Sequence, residues 1–189
     1  MNAVAGLLLA AGAGARMGRP KALIIDEDGT AWLARGVEVL HEGGCDDVTV
    51  VLGAAADQAR ALVPDGAAVV VAEDWTEGMS ASLRAGLESL EDSDADAALV
   101  SLVDLPDVTD AVVRRVLAAG ADSAALIRTT YDGRPGHPVV LGREHWFGVR
   151  AAAVGDRGAR DYLANHALVE VECGDLATGR DADRPEEVG

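Results

Sequence analysis

The sequence of 189 residues contains one lysine, one phenylalanine and two cysteines, and only 3% of its residues are aromatic. No apolar run reaches the roughly 18 residues of a transmembrane helix. The apolar stretch at 1–15 lacks the preceding basic residues of a signal peptide. Cys45 and Cys173 lie far apart without metal-binding spacing, which favours buried thiols over a zinc site. We therefore expect a cytoplasmic protein.

Basic residues are also scarce, because 16 Lys and Arg face 32 Asp and Glu, for a formal net charge of -16. The resulting field repels polyanions, so nucleic acids and anionic membranes are not expected partners. Any phosphate that binds must therefore be held by a local binding site whose attraction outweighs this repulsion. The apolar content of 49% is enough for the core of one globular domain.

Apolar runs alternate with amphipathic stretches along most of the chain, which predicts an α/β fold. The first helix is expected to begin at a Thr30 cap and to end at Gly43. The pattern favours a three-layer, Rossmann-like fold with a mostly parallel central sheet and an irregular last third. Ligands bind such sheets at the carboxyl ends of the strands. The predicted strands are 4–10, 48–52, 67–72, 97–103, 124–129, 138–141 and 168–173.

A glycine-rich segment follows the first predicted strand and includes Gly12, Gly14 and Gly18. Glycines let backbone N–H groups converge on an anion, and Arg16 and Lys21 add two positive charges. Lys21 is the one lysine of the chain. An ammonium group acts as a compact point charge on a phosphate where a guanidinium would not fit.

Glycine-rich segments of this kind occur in three types of phosphate-binding loop. A P-loop requires Gly-Lys-Ser/Thr at its end, which is absent. A dinucleotide-binding loop requires a third glycine where Met17 stands and an acidic residue at the end of the second strand, which reads Leu52-Gly53-Ala54. The pattern therefore favours the nucleoside triphosphate loop of a nucleotidyltransferase.

Asp104 directly follows the fourth predicted strand, and Pro106 fixes the turn after it. An Asp-x-Pro sequence is also a common entry to a helix. Together with the glycine loop, however, a carboxylate at the ligand edge of the sheet indicates a Mg²⁺ site, because Mg²⁺ is held by one or two carboxylates plus substrate phosphates.

Six motifs follow one another along the chain: the glycine loop, 75–83, Asp104-Leu105-Pro106, Gly136-His137-Pro138-Val139, 155–160 and 181–186. They occur in the order seen in molybdenum cofactor cytidylyltransferases, and the chain resembles that family over nearly its whole length. The resemblance implies a GT-A-like nucleotidyltransferase fold. Ala11 resembles the cytidylyl members, whereas the guanylyl relatives usually carry a second glycine there.

The resemblance implies Mg²⁺-dependent transfer of CMP from CTP to a phosphorylated acceptor, molybdopterin, with release of pyrophosphate. A molybdoenzyme or its chaperone is the implied protein partner. We expect one nucleotidyltransferase domain over 1–189. Its nucleotide-binding part is expected at about 1–108, and the acceptor-binding and second metal-ligand part at about 109–189.

The site residues implied by motif and resemblance fall into four groups. Ser80 could instead be a helix cap, His137 could be structural, Asp156 and Arg160 could form a surface ion pair, and Asp181 is the alternative to Asp183 as second metal ligand. The groups are catalytic Arg16, Lys21 and Asp104; nucleotide-binding Leu9, Ala10, Ala11, Gly12, Gly14, Arg16, Lys21, Gly53, Ser80 and Asp104; metal-binding Asp104 and Asp183; and acceptor-binding His137, Asp156 and Arg160.

Three alternatives remain open on the sequence. The chain also resembles proteins named nicotine blue oxidoreductase, which implies an NAD(P)H-dependent reductase, although such an enzyme has no clear need for paired metal-binding acids. Transfer of GMP or another nucleotide to a different acceptor would use the same loop and acids. A non-enzymatic chaperone that carries molybdopterin is the third alternative.

Overall fold

A central sheet organises the protein in the computed structural model, which describes residues 2–15 and 17–182. The strand order is β3-β2-β1-β4-β6-β5-β7. β6 runs antiparallel to both of its neighbours, β4 and β5, and the other pairs are parallel. The strands of the described residues are β1 (Val4–Ala10), β2 (Asp47–Leu52), β3 (Ala68–Val71), β4 (Ala97–Leu102), β5 (Leu126–Tyr131), β6 (Arg134–Gly142) and β7 (Val169–Glu172).

Helices cover both faces of this sheet, so that consecutive residues of β1 are buried on opposite sides. Leu8 packs in one core with the first and fourth helices, whereas Leu7 and Leu9 pack in a second core with the third, fifth and sixth. The fully buried apolar run of β1 is thus a strand covered on both faces. The helices are α1 (Trp32–Gly43), α2 (Ala56–Ala59), α3 (Met79–Ser89), α4 (Asp110–Leu117), α5 (Arg143–Ala152) and α6 (Arg160–Ala164).

The predicted three-layer α/β architecture with a mostly parallel sheet is confirmed. Several predicted strand bounds shift by one or two residues; β5, for example, is Leu126–Tyr131 and not 124–129. Two further differences have a visible physical reason. α1 begins at Trp32 with Ala31 as its N-cap, because Thr30 lies in a turn closed by its carbonyl and the Asp26 N–H at 2.9 Å. β6 is longer than predicted and starts at Arg134, because it pairs with β5 across a tight hairpin in which Tyr131 faces Arg134.

The register of the central strands places the functional segments side by side. Leu9 in β1 pairs with Leu102 in β4, so the segments that follow these two strands leave the sheet at adjacent points. Val100 pairs with Val139 in the antiparallel β6, which brings the start of β6, including His137, to the same edge. One edge of the sheet therefore carries residues from β1, β4 and β6.

Both predicted thiols are buried, as expected. Burial raises the pKa of Cys45 to about 12, so this thiol stays protonated and unreactive at neutral pH. Across the described ranges, no helix has the length and apolar character needed to cross a membrane.

Candidate functional site

An ion pair joins two segments that are 83 residues apart in sequence. The Nζ of Lys21 donates a hydrogen bond to the Oδ2 of Asp104 at 2.5 Å. Lys21 lies in a 3₁₀ turn after the glycine loop, and Asp104 lies just beyond β4. The structure thus brings together the two charged residues that the sequence placed at the ligand edge of the sheet.

This pair borders an open cavity of about 410 Å³, which we call the glycine-loop cavity. Its walls are mostly backbone and small side chains, which leaves room for a ligand to approach the main chain closely. The lining residues are Leu9, Ala10, Ala11, Gly12, Ala13, Gly14, Ala15, Lys21, Trp75, Thr76, Gly78, Met79, Ser82, Leu102, Val103, Asp104 and Asp156.

Gly14 is required by the path of the loop. Its φ is +62°, and a Cβ at this position would lie 1.9 Å from the carbonyl oxygen of Arg19. Gly53 supports the loop from below, because the Ala54 N–H donates to the Ala11 carbonyl at 2.9 Å. A Cβ at Gly53 would meet both Ala11 and Trp75 at about 2.7 and 2.6 Å. Gly53 therefore packs under the loop and does not line the cavity.

The start of α3 packs against the segment 155–158, and the two together form one wall of the glycine-loop cavity. The Asp156 Oδ1 accepts a long hydrogen bond from the Met79 N–H at 3.4 Å. The Ser80 hydroxyl, which is fully buried, accepts a bond from the Gly158 N–H at 3.1 Å. Gly78 has a φ of +103°, and a Cβ there would lie 2.3 Å from the Asp156 Oδ1 and 2.8 Å from the Gly155 carbonyl carbon.

A second cavity, of about 560 Å³, lies on the other side of this wall. We call it the arginine cavity, because Arg128, Arg157, Arg160 and Arg180 line it. It shares Leu9, Met79, Leu102 and Asp156 with the glycine-loop cavity, so the two are neighbours. Its other lining residues are Leu83, Val100, Leu105, Pro135, Gly136, His137, Val139, Leu141, Gly158, Ala159, Leu163, Gly179 and Asp181.

His137 lines the arginine cavity, and the charges of Asp104 and Arg160 act on its imidazole. Burial lowers the pKa of His137 to about 4; the Arg160 guanidinium acts in the same direction and the Asp104 carboxylate opposes it. The imidazole is therefore neutral at pH 7 and can exchange hydrogen bonds with a ligand without carrying a charge.

The segment 174–182 crosses the same edge of the sheet. The Asp107 carboxylate accepts hydrogen bonds from the Thr178 N–H and hydroxyl, both at 2.6 Å. The Ala182 N–H donates to the Asp104 carbonyl at 2.9 Å, and Ala182 is buried against Trp32 and its neighbours. This segment supplies Arg180 and Asp181 to the arginine cavity.

The sequence-predicted residues divide between the two cavities. Arg16 and Asp183 lie outside the described residues, Gly53 and Ser80 support the walls without lining either cavity, and Asp181 lines the arginine cavity. Leu9, Ala10, Ala11, Gly12, Gly14, Lys21 and Asp104 line the glycine-loop cavity, His137 and Arg160 line the arginine cavity, and Asp156 lines both.

Sequence reasoning missed three features of these cavities. Gly78 carries the close approach of the 155–158 segment, and its position directly before a helix was the available signal. Arg128 and Arg180 line the arginine cavity, but neither lies in a segment that pointed to a ligand.

The donor set at Asp104 fits a hard divalent cation. The side chain of Asp104 is 16% exposed, and its carboxylate already holds one cationic group, the Lys21 ammonium. Among the described residues there is no group of three or more His, Cys, Asp or Glu that could hold a metal ion. A cation bound here would take one or two carboxylates from the protein and its other ligands from substrate phosphates and water, as Mg²⁺ commonly does.

A family model and a relative of known name both match most of this chain. The family of the MobA-like NTP transferase domain matches residues 6–171. The nicotine blue oxidoreductase of Paenarthrobacter nicotinovorans is 35% identical over 195 aligned residues, covering 98% of this chain and 94% of that protein.

The fold is also found in solved structures. The crystal structure of Rv0371c from Mycobacterium tuberculosis H37Rv superposes with a TM-score of 0.80 at 30% identity, covering 98% of this chain and 95% of that one. A complex of the same protein with manganese gives a TM-score of 0.75 at 30% identity, covering 91% and 88% of the two chains. The predicted nucleotidyltransferase fold is thereby confirmed.

Proposed function

Since the chain belongs to the family of MobA-like NTP transferase domains and is a nucleotidyltransferase, we propose that it moves CMP from CTP to a phosphorylated acceptor of the molybdopterin type. The observation that carries this proposal is the pair of adjoining cavities, with the Lys21–Asp104 ion pair at the border of one and an arginine cluster in the other. One cavity suits a triphosphate, and the other suits an anionic acceptor.

In this proposal CTP occupies the glycine-loop cavity. Backbone N–H groups of the loop at Gly12 and Gly14 bind phosphate oxygens, and Lys21 neutralises charge on the α-phosphate. Arg16 holds the departing pyrophosphate. Ala11 lines the cavity beside Gly53, and its similarity to the cytidylyl relatives supports CTP as the donor.

The reaction is an in-line displacement. A phosphate oxygen of the acceptor attacks the α-phosphorus of CTP, the bond to the β-phosphate breaks, and pyrophosphate leaves with the electron pair. An ionised phosphate needs no general base, so orientation and charge neutralisation supply the catalysis. This agrees with the neutral His137, which orients the acceptor without taking a proton.

We propose Mg²⁺ as the cofactor, held by Asp104 and by Asp183 or Asp181. These carboxylates would hold the cation beside the substrate phosphates, where it would supply positive charge. The manganese complex of the Mycobacterium tuberculosis relative supports a divalent cation in this family. Lys21, which pairs with Asp104 in the structure, would then turn to the substrate phosphate.

The division of the chain follows the same scheme. All residues that line the glycine-loop cavity except Asp156 lie before residue 105, and most residues of the arginine cavity lie after residue 127. We propose that about 1–108 binds the nucleotide and about 109–189 binds the acceptor, with His137, Asp156 and Arg160 as acceptor contacts. A molybdoenzyme or its chaperone would receive the product.

The test is pyrophosphate release from each nucleoside triphosphate with Mg²⁺ and molybdopterin. We expect release with CTP, its loss on chelation, and a drop of about a thousandfold in Asp104→Asn. The control Asp110→Asn removes a half-buried carboxylate that pairs with Arg114 on α4, away from both cavities, and should leave release unchanged. Release that is independent of the metal, or equal in Asp104→Asn and wild type, contradicts the proposal.

A second candidate, an NAD(P)H-dependent reductase, is favoured by the name of the Paenarthrobacter nicotinovorans relative. Against it, β2 ends at Leu52 and is followed by Gly53, without the acidic residue that holds the ribose in dinucleotide-binding folds. Thermal unfolding with NADH, NADPH or CTP separates the two candidates, because a ligand that binds the folded state raises the melting temperature. A metal-independent shift with NADH or NADPH alone would favour the reductase.

A further inference from the structure

The arginine cavity brings together several positively charged side chains of a chain that has few of them. Four of the 16 basic residues line it in a chain of net charge -16. Two carboxylates, Asp156 and Asp181, also line the cavity. The first accepts the bond from Met79, and the second also has a partner. Where an anion can bind in this cavity therefore depends on which guanidinium groups are already ion-paired.

Two of the four guanidinium groups are paired with a carboxylate, Arg128 with Glu170 and Arg157 with Asp161. Arg157 pairs with Asp161 at 3.0 Å, and the two side chains are 63% and 42% exposed, so this is a surface pair. Within residues 2–15 and 17–182, neither Arg160 nor Arg180 has an ion-pair partner. An anion that binds between these two groups would accept charge-assisted hydrogen bonds from both.

The guanidinium group of Arg128 is held in place on one side only. Its terminal nitrogen donates to Glu170, which lies directly opposite on β7. Its Nε is buried and has no hydrogen-bond partner among the residues that the structure describes. The Glu170 contact thus fixes one side of the guanidinium fork, while the Nε is left to be satisfied by a ligand.

The sheet register separates Arg128 from the reacting centre. Arg128 pairs with Val139 on β6, and Val139 pairs with Val100 on β4, the strand that leads to Asp104. Two strand spacings place the Arg128 backbone about 10 Å from β4. A group bound at Arg128 is thus distinct from a phosphate that reacts beside Lys21 and Asp104.

Between these two ends the cavity wall is apolar. Leu83 of α3, Leu141 of β6 and Leu163 of α6 line it and belong to one hydrophobic core. A ligand that spans the cavity therefore has an apolar body between its polar ends.

We propose that Arg128, Arg160 and Arg180 bind a second anionic group of the acceptor, at the end of an apolar body opposite the phosphate that attacks CTP. The acceptor class is thus an amphipathic small molecule with two anionic groups. This inference rests on the proposed nucleotidyl transfer, because that reaction defines which end of the acceptor reacts.

The test compares two probes that differ in one anionic group, phenyl phosphate and 4-carboxyphenyl phosphate, by calorimetric titration without nucleotide. We expect the wild type to bind the doubly anionic probe about tenfold more tightly, which corresponds to one additional charge-assisted hydrogen bond. Equal affinity for the two probes overturns the proposal.

Three variants locate the effect. Arg128→Met keeps the apolar stem of the side chain. Arg180→Gln changes an exposed side chain, so this variant stays informative if Arg128→Met unfolds. Both should reduce the preference for the carboxylated probe to about twofold or less. Arg150→Gln, a control on α5 that pairs with Glu88 and Glu91 outside the cavity, should retain it. A preference that survives both cavity variants overturns the proposal.

Titration with CTP and Mn²⁺ on the same samples separates this result from the proposed function. Binding of CTP with the metal but no probe preference rejects the anion site alone. A probe preference without any CTP binding supports the anion site and rejects CTP as the donor.

Discussion

The two cavities on one edge of the sheet are built in different ways. The glycine-loop cavity is formed by the path of the backbone at 9–15 and 102–104, with small side chains and one lysine. The arginine cavity is formed by long side chains from β5, α6 and the segment after β7. Substitutions should therefore act on the first cavity through geometry or through its one lysine, and on the second mainly through its arginines.

The largest effect is expected where the first cavity depends on a single charge. Lys21→Met should lower the rate of pyrophosphate release by about a thousandfold, because no other lysine can neutralise the reacting phosphate. The same variant should bind Mn²⁺ more tightly without nucleotide, because the ammonium no longer occupies the Oδ2 of Asp104. Electron paramagnetic resonance of free Mn²⁺ measures this affinity.

Lys21→Arg is the matched control for that experiment. It keeps a positive charge beside Asp104, so its affinity for Mn²⁺ alone should stay near that of the wild type. Its turnover should remain low, because a planar guanidinium does not replace a compact ammonium. Unchanged turnover in Lys21→Met would show that the first cavity does not depend on this charge.

The wall between the cavities should respond to geometry. Gly78→Ala forces a Cβ to 2.8 Å from the Gly155 carbonyl carbon at a φ of +103°. We expect the free energy of unfolding to fall by about 3 kcal/mol, and binding in both cavities to weaken. Gly120 has a φ of +102° with open space around it, so Gly120→Ala should cost about 1 to 2 kcal/mol. Equal losses in urea unfolding would mean that the contact at the wall is unimportant.

In the arginine cavity, His137 should make the free energy of unfolding depend on pH. The pKa of His137 is about 4 in the folded protein, because of burial, against an ordinary value of 6.5. Between these values the unfolded chain takes up a proton that the folded chain does not, so the free energy of unfolding falls as pH decreases from 6.5 to 4. The full contribution is at most about 3 kcal/mol.

Urea unfolding of His137→Gln at several pH values measures this contribution. The variant should lose less stability than the wild type between pH 6.5 and pH 4. His41→Gln removes an exposed histidine of α1 and should follow the wild-type profile. Parallel profiles for wild type and His137→Gln would show that the imidazole is not held neutral.

The smallest effect is expected at Ala11. Ala11→Gly removes one methyl group from the lining of the glycine-loop cavity and should shift the preference between CTP and GTP by about 1 kcal/mol, or about fivefold, toward GTP. The ratio of kcat/KM for the two nucleotides measures the shift. Discrimination unchanged from wild type would remove Ala11 from the determinants of base choice.

Local sequence signals predicted the glycine-loop cavity better than the arginine cavity. The bounds of β1 were predicted to the residue, and the convergence of Lys21 with Asp104 follows from strand ends that meet at one edge of the sheet. The antiparallel direction of β6 could not be predicted, because it depends on the hairpin with β5. Arg128 acquires its position only through pairing across three strands, and a sequence shows no local trace of such pairing.

The hydrogen bond from the Ala182 N–H to the Asp104 carbonyl has a consequence for protein synthesis. The glycine loop, β4 and Asp104 leave the ribosome well before residue 182, so the nascent chain can form the Lys21–Asp104 pair early. The segment 174–182, with its contact at the Asp104 backbone and the cavity residues Arg180 and Asp181, is synthesised later. The ion pair between Lys21 and Asp104 therefore needs no residue of this segment as a partner in order to form.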